Sequence, residues 1–417
     1  MEGVGGNREV PPRNGLGEKP GPSVPEEWGP WGKQGFPHGS EPEAKRREEI
    51  GLSAPWIGER EEELVLEVLR SGELSLGPMI ERFERALAER VASPYVAAVS
   101  SGTAGLHLAV RLAGIGPGDE VITSPFSFVA SANCVLYEGG EPVLVDVDDH
   151  TFNLDPDAVE AAITDRTKAI LAVDIFGYPA ELAELQAIAE RHGLALLEDA
   201  CEALGGEYRG RPIGSFGHPA VFAFYPNKQM TTGEGGGVAV SSEEEWALLK
   251  SLSNQGRSDS GEWLTHSRLG YNYRLSDVAA AIGVAQLERL DSILELRAEV
   301  ADRYATLLAE LDGVEPPLPD DEEHVRSWFV YVVQLPDRID RNGVMARLAE
   351  EGIASKPYLP SIHLQPYWRE QFGTGEGMFP VAESASRRSL ALPFHTRLSA
   401  DDQERVVETL ARALNPS

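Results

Sequence analysis

Residues 221–240, VFAFYPNKQMTTGEGGGVAV, carry a lysine between an apolar run and a glycine turn. Val221 to Tyr225 has the pattern of a buried strand. It stops at Pro226, Lys228 follows, and four glycines fall within the five residues 233–237 before a β-branched run, Val238–Val240. Glycine supplies positive φ and lets backbone approach a ligand closely, so this connection is tight and shaped. A lysine held there can shed solvation and act as an amine nucleophile toward a carbonyl. The chain has seven lysines, and only Lys228 stands between a buried strand and a glycine turn. A lone hairpin lysine is ordinarily a solvated surface residue. The chemistry around this one weighs against that reading.

The 417 residues are enough for two or three domains and a large core. A formal net charge of −30 argues against non-specific binding to nucleic acid or an acidic membrane, which needs a basic footprint. A locally basic pocket for an anionic substrate remains compatible with it. Cys134 and Cys201 sit in apolar contexts without metal-ligand spacing and read as reduced core thiols of a cytoplasmic protein. No apolar run is long enough to span a membrane, and no secretory leader is expected. Residues 1–47 are rich in glycine and proline, without apolar periodicity, and are expected to be disordered.

From about residue 48 strands and helices alternate. Strands are expected at Tyr95–Val99, Glu120–Thr123, Pro142–Val145, Ala169–Val173, Leu194–Glu198 and Val221–Phe224, with helices at Ala104–Ala113, Val129–Tyr137, Asp155–Ile163 and Ala180–His192 between them. This rhythm predicts βαβ crossovers, an α/β fold and a mostly parallel sheet covered on both faces. Ligands bind such sheets at the carboxyl ends of the strands. The segments SSGT (100–103), PFSF (125–128), DACEALG (199–205) and YPNK (225–228) all fall there. After residue 240 the chain is mainly helical, with a strand at Trp328–Leu335 and a closing helix at Gln403–Leu414. A large domain over 48–290 and a smaller C-terminal α+β domain over 291–417 are expected.

Each strand end has a plain alternative role. Asp199 could cap a helix, or it could hold a proton on a cofactor's ring nitrogen. SSGT opens a helix, so its backbone N–H groups and hydroxyls suit a phosphate, although Ser and Thr are also ordinary caps. Phe128 could stack on a ring or fill core. A lysine, a carboxylate, a phosphate cradle and an aromatic, all at strand ends, together describe a pyridoxal 5′-phosphate (PLP) pocket.

The blocks SSGTAGLHLA, GDEVITSPFSFVASAN, LLEDACEALGGEYRGRPIGSFG, FAFYPNKQMTTGEGG, GYNYRLSDVAAAIGVAQLERLD and PSIHLQP extend this picture along the chain. From about 48 to 415 the sequence resembles the DegT/DnrJ/StrS-type sugar aminotransferases, within the PLP-dependent enzymes of the aspartate aminotransferase-like fold. The resemblance implies that Lys228 links covalently to the cofactor and moves the substrate proton, and that Asp199 pairs with the pyridinium nitrogen. By the same match Glu202 lies near the phenolic oxygen, Phe128 stacks on the ring, and Gly102 and Thr103 bind the phosphate. Asn272 matches an asparagine that reaches the phosphate of the other subunit, implying a homodimer with shared sites. Tyr358, His363 and Lys356 lie in the segment that borders the sugar in similar proteins. Arg257, Arg268, Lys356 and Arg326 are candidates for a sugar nucleotide's diphosphate, although most arginines in such loops are simply solvated.

Three positions depart from the family pattern. Ala223 stands where a phosphate-binding serine is usual, Leu204 replaces a common histidine, and Asp174 stands where many members carry histidine. FYPNK, DACEALG and KPYLPSIH look most similar to members that aminate C4 of a nucleotide-linked 6-deoxy-4-ketohexose, such as perosamine synthases, with L-glutamate as the implied donor. Amination at C3, a cyclitol substrate, or a PLP-binding regulatory role remain open alternatives. Lys228 speaks against the sugar dehydratases that carry histidine in its place.

Overall fold

The computed structural model describes residues 49–258 and 264–414. The tail expected to be disordered lies outside the described residues. Among the described residues thirteen strands follow in chain order: β1 Tyr95–Val99, β2 Glu120–Thr123, β3 Glu141–Leu144, β4 Thr167–Val173, β5 Ala195–Asp199, β6 Glu207–Tyr208, β7 Arg211–Pro212, β8 Ala220–Ala223, β9 Gly236–Val240, β10 His324–Val325, β11 Tyr331–Gln334, β12 Lys356–Pro357 and β13 Ser389–Leu392. Seven of them form the central sheet in the order β1-β9-β8-β5-β4-β2-β3. Neighbours from β8 to β3 pair in parallel, while β9 runs antiparallel to both β8 and β1. The α/β fold and the mostly parallel sheet are as the alternation predicts.

Both faces of the sheet are buried, and the strand period sorts the side chains between them. Ile122, Ile170, Leu196 and Phe222 enter one core, while Val121, Leu171, Leu197 and Val221 enter the other. A second sheet, β11-β13-β12, is antiparallel throughout and packs on the helices Leu290–Leu308 and Ala400–Leu414 through Tyr304, Val333, Leu390 and Leu410.

The strand expected over Trp328–Leu335 begins only at Tyr331. The carbonyls of Trp328 and Phe329 instead accept from the buried Arg297 guanidinium at 3.4 and 3.1 Å. Those residues are thereby pulled out of the ladder and toward the strand ends of the central sheet.

One contact ties the helix Asp277–Glu288 to a helix that precedes the central sheet in the chain. The helix Pro78–Arg90 has Gly77 as its cap residue, which offers no side chain to its exposed N–H groups. Asp277, fully buried at the start of the helix Asp277–Glu288, supplies the missing acceptor. Its Oδ2 accepts from Gly77 N at 2.7 Å and its Oδ1 from Met79 N at 3.0 Å. Asp277→Ala is expected to cost about 3 kcal/mol, because it leaves buried donors without a charged acceptor. Denaturant unfolding of the variant measures that loss.

Candidate active site

The carboxyl ends of β1, β2, β5 and β8 meet at a cavity of about 460 Å³. Its wall includes Gly102 and Thr103 after β1, Phe128 after β2, Asp199 and Glu202 at and after β5, and Lys228 after β8. Tyr358 closes it from the second sheet's side. Seven of the residues singled out from sequence are thus brought to one place.

Lys228 is fixed by its backbone. Its N–H donates to Tyr225 O at 2.9 Å and its carbonyl accepts from Arg297 Nη2 at 3.0 Å. Burial pushes that guanidinium down to about 10. The glycine turn behind the lysine works by closeness more than by torsion. Among its four glycines only Gly233 has a positive φ, +81°, whereas a Cβ on Gly236 would lie 2.7 Å from Ser101 O. The phosphate-type turn at 100–103 and the lysine segment therefore pack backbone to backbone.

The Lys228 amine is largely buried, with Nζ 3.4 Å from Glu202 Oε1 and 4.0 Å from the centroid of the Phe329 ring. Glu202 Oε2 accepts from Phe176 N at 2.8 Å. Burial pushes the Glu202 carboxyl up, and the neighbouring ammonium partly holds it down. Asp199 is held on both oxygens. Ser131 Oγ donates to Oδ2 at 2.7 Å, Cys201 N donates to Oδ1 at 3.3 Å, and Ser127 in turn donates to Ser131 at 2.7 Å.

Ser101 caps the helix Gly102–Leu112, its hydroxyl accepting from Ala104 N at 3.1 Å. Gly102 and Thr103 are the first helical residues, whose N–H groups have no partner within the helix and face an anion-favouring end. A Cβ on Gly102 would lie 2.7 Å from the Ala223 methyl and 2.9 Å from Cys201 Sγ. Ala223 thus packs directly under the turn. These residues fit PLP: a helix end for the phosphate, a buried carboxylate for the ring nitrogen, an amine for the aldehyde. Phe128, 60% exposed at the cavity, leaves a ring face open for stacking.

The other sequence candidates lie elsewhere. Asn272 is exposed and bridges to Asn254, outside the wall of its own chain's cavity. Lys356 is exposed on β12. His363 is fully buried, with Nε2 3.1 Å from Glu383 Oε1. Arg326 is buried too, its guanidinium over the rings of Tyr178 and Trp328. Sequence reasoning missed Ser131, Phe329 and the Phe176 amide. Ser131 has a usable signal, since it follows PFSF by three residues on the helix that opens there; the other two have none locally.

Residues 55–411 match the DegT/DnrJ/EryC1/StrS aminotransferase family. The chain belongs to that family. Among its members, the spore coat polysaccharide biosynthesis protein SpsC of Bacillus subtilis is 38% identical over 88% of this chain and 97% of its own. The GDP-perosamine synthase of Caulobacter vibrioides is 38% identical over 88% of this chain and 98% of its own. The putative sugar aminotransferase Spr1654 of Streptococcus pneumoniae, solved in a PLP form, superposes with a TM-score of 0.84 at 29% identity, over 88% of this chain and 98% of its own. The protein is accordingly a PLP-dependent aminotransferase of the DegT/DnrJ/EryC1/StrS family. Among the described residues no helix is long and apolar enough to cross a membrane.

Proposed function

We propose that the protein transfers an amino group from L-glutamate to C4 of a nucleotide-linked keto-deoxy sugar, in the biosynthesis of a polysaccharide or other glycan. The observation that carries the reading is Lys228 Nζ in the wall of a cavity that also presents Asp199 and the helix end at Gly102 and Thr103. The likeness to a perosamine synthase at 38% identity supports the choice of sugar and position. PLP, when bound, supplies the electron sink for loss of a proton from the carbon that carries the amine. Lys228 moves that proton, Asp199 holds the charge on the ring nitrogen, and Glu202 sets the environment of the phenolic oxygen. Gly102 and Thr103 hold the phosphate, and Phe128 covers the ring. Tyr358, lining the cavity, borders the sugar. Donor and acceptor use one site in turn, so the kinetics are ping-pong.

Incubation with L-glutamate and a nucleotide-linked 4-keto-6-deoxyhexose tests this reading. Formation of 2-oxoglutarate and the 4-amino sugar is expected. Turnover only with a 3-keto sugar or a cyclitol ketone would move the reading to the alternative acceptor. PLP binding without any turnover would leave the regulatory alternative.

The homodimer is part of the same proposal, supported by Asn272, which is exposed and does not face its own chain's cavity. Lys228→Ala and Asn272→Ala proteins, unfolded together and refolded, are expected to recover about a quarter of wild-type activity. Half the dimers would be mixed, and each of those would hold one intact site of two. No recovery on mixing would place Asn272 outside a shared site.

A further inference from the structure

Behind Asp199 lies a pair of acids with no part in the reaction described above. Consecutive strand residues point to opposite faces, so Glu198 turns away from the cavity that Asp199 lines. Asp174 follows directly on Val173, the β4 residue that pairs with Asp199, and its N–H donates to Asp199 O at 3.2 Å. Asp174 and Glu198 are both completely buried, and their carboxyls are hydrogen-bonding neighbours.

The oxygens of this pair can be accounted for one by one. Asp174 Oδ1 accepts from Ala180 N at 2.9 Å, and Glu198 Oε2 lies 2.9 Å from His218 Nε2. The two that remain, Asp174 Oδ2 and Glu198 Oε1, have no donor among the described residues. Buried polar atoms are paired, and two adjoining buried carboxylates cannot both stay ionised. One proton between these two oxygens meets both demands.

We propose that Asp174 and Glu198 share one proton between Asp174 Oδ2 and Glu198 Oε1 and act as a positioning pair for Asp199. The pair keeps its proton on the far side of the strand from the cavity, and it sets a buried negative charge behind Asp199. It also joins the ends of β4 and β5 at the point where Asp199 leaves the sheet. The inference rests on the reading of Asp199 as partner of the ring nitrogen.

The groups around the pair agree with this assignment. Burial pushes both carboxyls up; the charge of Glu198 raises Asp174 further, while the hydrogen bond with Asp174 holds Glu198 partly down. Asp199 adds further negative charge, which raises both carboxyls. Burial pushes His218 down to about 4, against the pull of Asp174 and with the help of Arg211. His218 is therefore neutral and donates Nε2–H to Glu198 Oε2.

Infrared spectroscopy of the cofactor-free protein reads the shared proton directly. At neutral pH the wild type is expected to show a protonated-carboxyl band that disappears in Asp174→Asn. That variant is isosteric and its amide can donate to an ionised Glu198, so one carboxylate and one hydrogen bond remain. Glu198→Gln is expected to remove the same band, and His218→Gln to keep it. A band that survives both Asp174→Asn and Glu198→Gln, or a wild type that lacks it with His218 charged instead, overturns the proposal.

The second reading concerns Asp199. The double variant Asp174→Asn/Glu198→Gln removes the negative charge behind it, and is expected to lower kcat about tenfold with the KM for the amino donor unchanged. An unchanged kcat would refute the link from the pair to Asp199. If Asp199→Asn itself turned over like wild type, the reading of Asp199 would fail, while the infrared result on the cofactor-free protein would stand by itself.

Discussion

Lys228→Ala is expected to lose about 10⁴-fold or more in transamination while the protein stays folded. Two functions go with one side chain, the amine that holds the cofactor covalently and the base that moves the proton. Among the described residues Lys228 is the one lysine in the cavity wall. Lys250 is committed to Glu84 at 2.6 Å, and Lys356 is exposed outside the wall, so neither can stand in. Folding should survive because no buried charge is stranded. Glu202 loses the ammonium that partly holds its carboxyl down, and it keeps its proton to higher pH instead. The segment itself is anchored through backbone, by Tyr225 O and Arg297, which the substitution leaves in place. The checks are the visible band of covalently held cofactor, which should be absent, and the rate with glutamate. A variant that keeps more than about a tenth of wild-type activity would remove Lys228 from the centre of the mechanism.

Much of this site could be read from sequence because the fold puts chemistry where the local pattern changes. A residue such as Asp199 or Lys228 is conspicuous when it ends an apolar run, and parallel strands carry such ends to one side of the sheet. The alternation of Ile170 with Leu171, or Val221 with Phe222, then divides the strand between two cores and leaves its end free. What could not be read is tertiary. Phe329, under the Lys228 amine, comes from about a hundred residues further along the chain, and it arrives only because Arg297 holds its carbonyl off the ladder. The glycines after Lys228 suggested positive φ, yet the structure uses Gly236 for contact with Ser101 O, which sequence cannot distinguish. Asp174 was visible as a departure from the family pattern, but its burial against Glu198 depends on strand neighbours that no local window contains. His363 shows the converse. Its segment matches one that borders the sugar in similar proteins, whereas the side chain is fully buried against Glu383.

Asp199→Asn separates the charge at the ring nitrogen from the shape of the pocket. The amide has the same outline, and its carbonyl oxygen can still accept from Ser131 Oγ, the donor now 2.7 Å from Oδ2. Ser131 and Ser127 therefore fix the orientation of the new side chain, with its oxygen toward Ser131 and its NH₂ on the Oδ1 side, where Cys201 N now donates at 3.3 Å. That second contact turns from an attraction into a juxtaposition of donors, a cost of about 1 kcal/mol that leaves the fold intact. Binding of PLP is expected to persist, because its phosphate is met by Gly102 and Thr103 and its aldehyde by Lys228, none of which touches position 199. The rate is another matter. A neutral amide cannot stabilise a proton on the ring nitrogen, so negative charge developing at the reacting carbon has no cation to draw it off. Loss of such preorganised electrostatic help is worth about 10²–10³-fold in kcat. Measured together, near-native cofactor affinity with kcat reduced to that extent would assign Asp199 an electrostatic role. Equal losses in both would make it a structural anchor of the pocket, and an unchanged kcat would mean that the ring nitrogen is served by some other group.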